Sequence, residues 1–549
     1  MDRDGPDFDG PAGGDTARGR GFPAGAVSEA AGRAGSGRAG SGRAGSLRLA
    51  SPAGRGVLAC AVLGSGMTML DATVVNVALP RIGADFDVPL SALQWTITAY
   101  MLPLAGLILL GGSLGDRYGR RRIFMTGVAW FAVASVLCGL APNDGALIAA
   151  RALQGTGGAL LTPGSLALVQ GTFRKQDRAK AVGLWSGLGG VATSVGPFLG
   201  GWLVDGPGWR WIFYINAPLA LAVLLLAVRW VPESRDWLAA GRFDAAGAAL
   251  AALGLAGITY ALIDATGGFG PAVIVALPAG LLFTALFLRR EARTGHPMLP
   301  LGMFRVKLFT SVNLVTLCLY AAIGGVFFLL PTQLQNGLGY EALAAGVASL
   351  PITVLMMLLS GPAGALAQRT GPRPLLTLGP LVAGAGLALL HRVHPGSSYG
   401  ADVLPAVLVL GLGMSMFVAP LTATVLASVD VRRAGIASGV NNAAARVAQL
   451  LAVAALPLAV GLSGSGYRTV STVDRAFGQA VLVCAGLMVL GAALAWFTVP
   501  ADVLRPDEDT PHARPQCTVH GAPALPPLEP GARRDPGPPP SQGPGTAPA

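Results

Sequence analysis

The sequence has 549 residues, of which 52% are hydrophobic and 12% are charged, and its formal net charge is +11. Soluble domains carry about 25% charged residues, so this composition excludes an ordinary soluble protein and predicts a polytopic membrane protein. The five cysteines are scattered without metal-ligand or CxxC spacing. We therefore expect no disulfide, no metal site and no other cofactor.

Both ends of the chain differ in composition from its middle. Residues 1–54 are rich in Gly, Ala and Arg and contain the pentad Gly-Arg-Ala-Gly-Ser three times between Gly32 and Ser46, whereas residues 501–549 are rich in proline. Such segments cannot bury enough apolar surface to fold, so we expect two disordered tails. The first apolar run is too long for a signal peptide and lacks a small-residue cleavage site. We interpret it as the first spanning helix.

The middle of the chain is a series of apolar runs. A spanning helix needs about 20 apolar residues, and fourteen runs approach or exceed that length, at 57–79, 92–113, 122–140, 146–170, 180–203, 209–231, 244–264, 269–289, 308–331, 342–364, 373–391, 402–427, 434–461 and 477–499. The sequence therefore predicts an all-α membrane protein with 14 transmembrane helices.

Basic residues are concentrated in alternate loops. If the N-terminus is cytoplasmic, twenty lysines and arginines fall in inner loops and five in outer loops. This asymmetry satisfies the positive-inside rule, so we expect both termini in the cytoplasm and the chain in the cytoplasmic membrane. Because topology explains the net charge, nucleic acid is not needed as a partner.

A carboxylate and a guanidinium lie within the N-terminal runs. Asp71 interrupts the first run, and a charge at the bilayer centre costs at least about 2.5–3.5 kcal/mol, so we interpret it as a proton or substrate site. The alternative is a carboxylate that reaches interfacial water. Arg151 lies at a comparable depth in the fourth run. We expect the two to face each other, with Gln154 and Asn76 as hydrogen-bond partners; a static buried ion pair is the other possibility.

The chain contains an internal repeat. The loop Gly112-Ser-Leu-Gly-Asp-Arg-Tyr-Gly-Arg-Arg resembles Gly364-Ala-Leu-Ala-Gln-Arg-Thr-Gly-Pro-Arg, 252 residues later. Duplicated halves are common in secondary transporters, which bind substrate near the midplane between them. We therefore expect two six-helix bundles, at 55–231 and 301–500, with an inserted two-helix hairpin and its linkers at 232–300. The second half has no charge at the positions of Asp71 and Arg151, so proton chemistry is expected in the first.

The first of these loops has the composition of a cytoplasmic gate. Asp116 and Arg120 lie four residues apart, next to Arg117, and Gly119 allows neighbouring helix ends to approach closely. An ion pair here is able to favour one of two conformations. The alternative is a solvated loop whose ion pairs contribute about 0–1 kcal/mol each.

The fifth run has glycines at four-residue spacing. Gly183 and Gly187 form one such pair and Gly196 and Gly200 the other, and both are expected to permit close helix packing. Pro197 removes a backbone hydrogen bond and bends the helix.

Five segments together resemble the major facilitator superfamily and, within it, the fourteen-helix drug:proton antiporters. They are Leu70-Asp-Ala-Thr-Val-Val-Asn-Val-Ala-Leu-Pro80, the loop from Gly112 to Phe124, Arg151-Ala-Leu-Gln-Gly155, Gly196-Pro-Phe-Leu-Gly-Gly201 and Trp209-Arg-Trp-Ile-Phe-Tyr-Ile-Asn-Ala-Pro218. The resemblance covers about residues 57–500. It implies that Arg151 takes part in proton transfer and that the helix with Gly196, Pro197 and Gly200 seals the passage against leak.

The second half adds polar candidates for a substrate cavity. Asn442 and Arg446 lie one turn apart in the thirteenth run, and Asn313 and Gln333 lie in or next to the ninth. The family often has Asn-x-x-Arg here, and this chain places Arg446 one position later. If Arg446 points into the cavity, the substrate carries an anionic or polar group. The alternative is that its side chain snorkels to the inner surface, about 12 Å away if the helix enters the membrane near Ser438. Asn313 and Gln333 are alternatively helix–helix contacts.

The function predicted from these features is proton-driven export of small, mostly lipophilic molecules by rocking of two bundles, with the protein acting as a monomer. Asp71 carries the proton, Arg151 modulates it, and Asp116 with Arg120 closes the cytoplasmic side. Proton-coupled uptake of a nutrient on the same fold is the alternative. The sequence has neither a Walker-type Gly-Lys-Ser/Thr motif nor a DDxxD cluster, which argues against an ATP-driven pump and against a membrane-embedded transferase.

Overall fold

The computed structural model describes residues 47–235, 244–295, 297–430 and 433–504. Regular structure in these residues is helical, apart from one bridge between Leu47 and Phe173. The first half contains α1 (Pro52–Phe86), α2 (Leu90–Tyr118), α3 (Arg120–Gly139), α4 (Asp144–Thr172), α5 (Lys175–Asp205), the one-turn α6 (Trp211–Tyr214) and α7 (Asn216–Trp230). The hairpin contains α8 (Ala245–Asp264) and α9 (Pro271–Glu291), and the second half contains α10 (Lys307–Thr332), α11 (Ala342–Thr370), α12 (Pro372–Leu390), α13 (Leu404–Ala427), α14 (Ala434–Ala459) and α15 (Val470–Thr498).

The predicted number of spans is confirmed. Thirteen helical segments of the described chain are long and apolar enough to cross a membrane, with α6 and α7 together forming one span, Trp211–Trp230. The remaining span, α4, is as long as α2 but less apolar, because it contains Arg151, Gln154 and several glycines. Its polar residues are buried against other helices instead of facing lipid.

The two halves repeat one packing pattern. In the first half α1 packs on α5 and α7, and α4 packs on α2 and α3. In the second half α10 packs on α14 and α15, and α13 packs on α11 and α12. The connections repeat as well: Gly119 and Gly371, 252 residues apart, both have positive φ, at +112° and +84°.

The inserted hairpin lies beside both halves. Helices α8 and α9 cross closely because a Cβ at Gly257 would lie only 2.8 Å from the Gly280 Cα. Helix α8 also packs on α2 and α14, whereas most of α9 is exposed. An exposed apolar helix of this length is expected to face lipid.

The halves meet along α5 with α11 and along α2 with α14. Hydrogen bonds between described residues of the two halves all lie at one end, where α1 ends and α2 begins, which the charge distribution predicts to be the outer end. Asp205, the last residue of α5, accepts hydrogen bonds from the Ala342 and Leu343 N–H groups at 3.2 and 2.7 Å. Its carboxylate thus caps the N-terminus of α11 across the interface.

A proline explains the link between α2 and α14. Pro457 lies inside α14 and has no N–H to donate to the Val453 carbonyl four residues earlier. The buried Gln94 side chain of α2 donates to that carbonyl at 2.8 Å and to the Ala454 carbonyl at 3.1 Å. The carbonyl that Pro457 leaves without a helical partner in one half therefore accepts a hydrogen bond from a side chain of the other half.

The C-terminal half also forms hydrogen bonds with the connection between α1 and α2. Arg468 donates to the Asp87 carboxylate and to the Gly83 carbonyl, and the Tyr467 hydroxyl donates to the Val88 carbonyl at 2.8 Å. The opposite half of α5 is open, because a Cβ at Gly183 or Gly187 would meet no atom within 4 Å. The structure is therefore closed at the predicted outer end.

The folded part of the chain begins earlier than predicted. Leu47 exchanges backbone hydrogen bonds with Thr172 and Arg174, both at 3.2 Å, and the Leu49 N–H donates to Asp177 at 3.0 Å. Ser51 then caps α1. Residues 47–54 therefore belong to the folded chain, because Leu47 and Leu49 supply the apolar contacts that the Gly-rich repeat lacks. Residues 1–46 and 505–549 of the predicted tails lie outside the described residues, as do 236–243 and 296 in the predicted insert.

Candidate functional site

The structure brings Asp71 and Arg151 together. The Arg151 Nη1 group donates to Asp71 Oδ2 at 2.6 Å, and the two side chains are 1% and 0% exposed. Helices α1 and α4 thus bury a complete ion pair inside the first bundle. Leaving one partner unpaired there would cost about 3–5 kcal/mol, far more than the loss of a surface pair.

Gln154 occupies the other carboxylate oxygen. Its Nε2 group donates to Asp71 Oδ1 at 2.9 Å and to Ser135 Oγ at 3.2 Å, while its Oε1 atom accepts from Arg151 Nη1 at 2.7 Å. Because Arg151 can only donate, it fixes which way the Gln154 amide points. Gln154 lies one turn after Arg151 on α4, which places both side chains beside Asp71.

Further polar groups surround the ion pair. Ser135 donates to the Phe213 carbonyl at 2.9 Å and accepts from Asn216 Nδ2 at 3.0 Å. Ser135 and Asn216 are buried, and the Asn216 Oδ1 atom has no partner among the described residues. Neither residue was predicted from the sequence, although Asn216 lies in one of the segments that carry the family resemblance.

Arg151 is also held by α2. Its Nε group donates to the Thr96 carbonyl at 3.1 Å, and its guanidinium carbon lies 4.3 Å from the centre of the Tyr100 ring. This approach depends on Gly155, where a Cβ would collide with the Tyr100 carbonyl oxygen. A buried aromatic face can stabilise a cation by about 2 kcal/mol, so Tyr100 supports the Arg151 charge.

Each carboxylate oxygen of Asp71 accepts one hydrogen bond from α4, Oδ2 from Arg151 and Oδ1 from Gln154. The cluster therefore joins α1 to α4, and a change in either bond would alter this contact.

Asn76 does not join the cluster, contrary to the prediction. Its Nδ2 group donates to the Ala72 carbonyl of its own helix at 3.2 Å. Asn76 follows Asp71 by five residues, which places its side chain about 140° away around α1. The hydropathy pattern alone did not reveal this rotation.

The predicted gate loop is ordered within the first half. Arg120 donates through Nε to Asp116 Oδ1 at 2.8 Å, and its backbone N–H donates to the Ser234 carbonyl at 3.0 Å. Glu233, which was not predicted, accepts from the Arg121 N–H at 3.2 Å and lies against Gly119. Arg117 is exposed and lies 5.5 Å from the Tyr118 ring centre. Between described residues, the ion pair of Asp116 does not reach the second half.

The glycines of α5 fall into two groups. A Cβ at Gly196 would collide with Thr73 Oγ1, and one at Gly200 would lie 3.1 Å from the Val74 Cα, so this part of α5 packs directly on α1. On its other side the Pro197 carbonyl touches Gly346 of α11. Gly183 and Gly187 make no comparable contact, so the expected close packing there is wrong.

The cavity candidates of the second half separate in the structure. Asn313 is buried, donates to the Phe309 carbonyl and accepts from Asn441 at 3.3 Å, so it joins α10 to α14. Gln333 donates to the Val393 carbonyl and to Asp474 at the predicted outer end, away from any midplane cavity. Its position in a π-helical turn after Pro331 explains this difference. Asn442 is exposed and Arg446 is half-buried on the same face of α14.

Comparison with known proteins identifies the family. The family model described as Major Facilitator Superfamily matches residues 61–453. A puromycin resistance protein of Streptomyces alboniger is 37% identical, over 80% of this chain and 90% of the relative. A tetracenomycin C resistance and export protein of Streptomyces glaucescens is 36% identical, over 73% and 74%. The inward-open xylose transporter XylE from E. coli shares the fold, with a TM-score of 0.57 at 16% identity over 81% of this chain and 96% of that one.

Proposed function

The chain belongs to the major facilitator superfamily, and from this membership we propose that it exports small, mostly lipophilic compounds across the cytoplasmic membrane in exchange for protons. Its relatives include proteins named for antibiotic resistance and export. As a multi-pass membrane transporter, the chain needs a driving force, and the sequence offers no nucleotide-binding motif. The proton gradient is the remaining source that its residues fit.

The buried cluster around Asp71 is the observation that carries this proposal. Asp71 is the titratable acid of the cluster, and Arg151 and Gln154 hold its ionised form. Binding of a proton would weaken both bonds, because it removes the negative charge that these donors stabilise. Arg151 and Gln154 lie on α4, and Arg151 contacts α2, which packs on α14 of the other half. Movement of Arg151 would thereby be transmitted to the interface between the halves.

The closed outer end supplies one state of the transport cycle. We propose that the bundles at 55–231 and 301–500 rock about the α5–α11 and α2–α14 contacts, with both chain termini in the cytoplasm. In the inward-facing state the cytoplasmic half of α5 is open. In the outward-facing state Asp116 and Arg120 would close the cytoplasmic side, and the packed segment at Gly196, Pro197 and Gly200 would prevent leak in both states.

The test is substrate-induced proton movement in inside-out vesicles with an acidic interior. Addition of puromycin, tetracenomycin C or ethidium should discharge the pH gradient if the chain is an antiporter. Asp71→Asn should abolish this response, because the amide cannot carry a proton, while leaving the protein in the membrane. Asp402→Asn is the matched control, because Asp402 accepts from the Ser398 N–H within its own connection.

Two outcomes would contradict the proposal. An Asp71→Asn variant that discharges the gradient like the wild type would remove the assigned role of Asp71. A substrate that leaves the gradient intact in these vesicles, yet is accumulated by intact cells together with protons, would indicate symport on the same fold.

A further inference from the structure

We propose that Arg446 forms the binding site for an acidic group, such as a carboxylate, phenolate or sulfonate, on the compounds that this chain exports. The inference rests on the proposed export function and specifies its substrate class. It concerns the second half of the molecule, whereas the proton cluster lies in the first.

Arg446 lies at the middle of a membrane span. It follows the start of α14 by 12 residues, or about 18 Å at 1.5 Å per residue, and 13 residues separate it from the end of the helix. Both distances exceed the reach of an arginine side chain. The guanidinium is therefore far from both ends of the helix, and it must face a protein partner, a ligand or the water-filled space between the halves.

The described residues offer no such partner. Arg446 makes no hydrogen bond or ion pair with them, in contrast to Arg151, whose charge is matched by Asp71. Its half-buried position also differs from the fully buried Arg151. An intramembrane cation that faces a water-filled space marks a substrate path, and an anionic ligand that enters this space could pair with Arg446.

One face of α14 locates Arg446 in the space between the halves. Asn442, Arg446 and Val453 lie on one stripe, because spacings of four and seven residues return to the same side of a helix. Asn442 at the cytoplasmic end is exposed, and Val453 toward the outer end receives Gln94 from α2. This stripe of α14 thus runs from an exposed cytoplasmic end to the contact with α2, and Arg446 lies between the two.

An aromatic residue of the same half lies on the side of α10 that meets α14. Tyr320 lies on the face of α10 that carries Asn313 and Thr316, which meet α14 through Asn441. The Tyr320 ring supplies apolar surface on this face, and its hydroxyl has no hydrogen-bond partner among the described residues. A flat compound with an acidic group fits this combination of charge and ring surface.

Binding of three dyes with the same ring system tests the inference. Dansylate is an anion, dansylamide is neutral and dansylcadaverine is a cation, and each is titrated by fluorescence against purified protein without any gradient. We expect the wild type to bind dansylate about tenfold more tightly than dansylamide, the gain from one charge-assisted hydrogen bond. Arg446→Gln should reduce this ratio to about one, and Arg446→Lys should retain part of it because it keeps the charge.

Arg369→Gln is the control, because Arg369 is exposed at the end of α11. Equal affinity of the wild type for the three dyes, no saturable dansylate binding, or an unchanged ratio in a correctly folded Arg446→Gln variant would each overturn the site. A protein that binds dansylate through Arg446 but does not discharge the pH gradient when dansylate is the compound added to the vesicles contradicts the proposed export instead. A working antiporter with no preference for dansylate contradicts this site alone.

Discussion

At the residue scale, Arg151 is the side chain on which the buried cluster around Asp71 depends most. Its Nη1 group donates to both Asp71 and Gln154, and its Nε group donates to the Thr96 carbonyl on the other side of the guanidinium. A planar guanidinium has donors in these separate directions, whereas a lysine ammonium is a compact point charge. Charge alone is therefore not sufficient at this position.

We expect Arg151→Lys to behave as a loss of function despite its retained charge. The variant should lose the bond to Thr96 and one of the two others, each of which is a hydrogen bond from a charged group that contributes about 1.5–3 kcal/mol. The initial rate of substrate-induced proton release in vesicles should fall about tenfold or more, since 1.36 kcal/mol corresponds to a factor of ten. Arg369→Lys provides the comparison, and equal rates in the two variants would refute this account.

At the element scale, the outer closure depends on the ends of helices. The carboxylate of Asp205 satisfies two N–H groups at the start of α11 and also faces the positive end of that helix. The bond exists only while the two halves are together at this end. Asp205 therefore stabilises the outer-closed state relative to the outer-open state.

Asp205→Ala should shift the protein toward the outer-open state. Loss of the cap should cost roughly 1–2 kcal/mol, which corresponds to about a 5- to 30-fold change in a two-state equilibrium. The reporter is Ala342→Cys, a buried position beside the cap, labelled in intact cells with a membrane-impermeant maleimide. Labelling should accelerate in the Asp205→Ala background and not in Asp402→Ala, and equal rates in both would argue against a closing role for Asp205.

Some of these elements could be predicted from sequence and some could not. Helix number follows from the length of apolar runs, and Asp71 and Arg151 are visible because charge is rare in such runs. Their mutual contact follows from similar depth. Ser135 and the Thr96 carbonyl have no comparable signal, because their importance arises only when α2, α3 and α4 pack together.

The wrong or missing predictions also arise from helix packing that the sequence does not specify. Asn76 and Gln333 are polar residues in or next to apolar runs, as Gln154 is, but a run does not specify the rotation of its helix. Gln94 was overlooked because its partner is a backbone carbonyl left free by Pro457, more than 350 residues later. Such a contact depends on long-range packing that no local pattern contains.

At the scale of the whole molecule, two similar halves carry different charges. The first half buries Asp71 with Arg151, and its local charge is balanced. The second half repeats the helix packing but carries Arg446, which has no ion-pair partner among the described residues. A compound with an acidic group would restore the balance in the second half. The proposed division places the proton on one side of the interface and the anionic substrate on the other.

This division has an electrical consequence. If one proton enters on Asp71 while one anion leaves, two positive charges move inward in each cycle. Each charge contributes about 2.3 kcal/mol per 100 mV of membrane potential, so the potential alone favours export of an anion by about 4.6 kcal/mol at 100 mV. Export of a monovalent cation against one proton moves no net charge and gains nothing from the potential.

Proteoliposomes loaded with dansylate or dansylcadaverine separate these cases. Valinomycin with an outward potassium gradient sets an inside-negative potential while both sides are kept at equal pH. Dansylate efflux should accelerate when the potential is applied, and dansylcadaverine efflux should not. Asp71→Asn liposomes report passive leak of the anion and should show no protein-dependent acceleration. Wild-type dansylate efflux that is protein-dependent but insensitive to the potential would show that the anion leaves without the net charge movement that Asp71 and Arg446 together require.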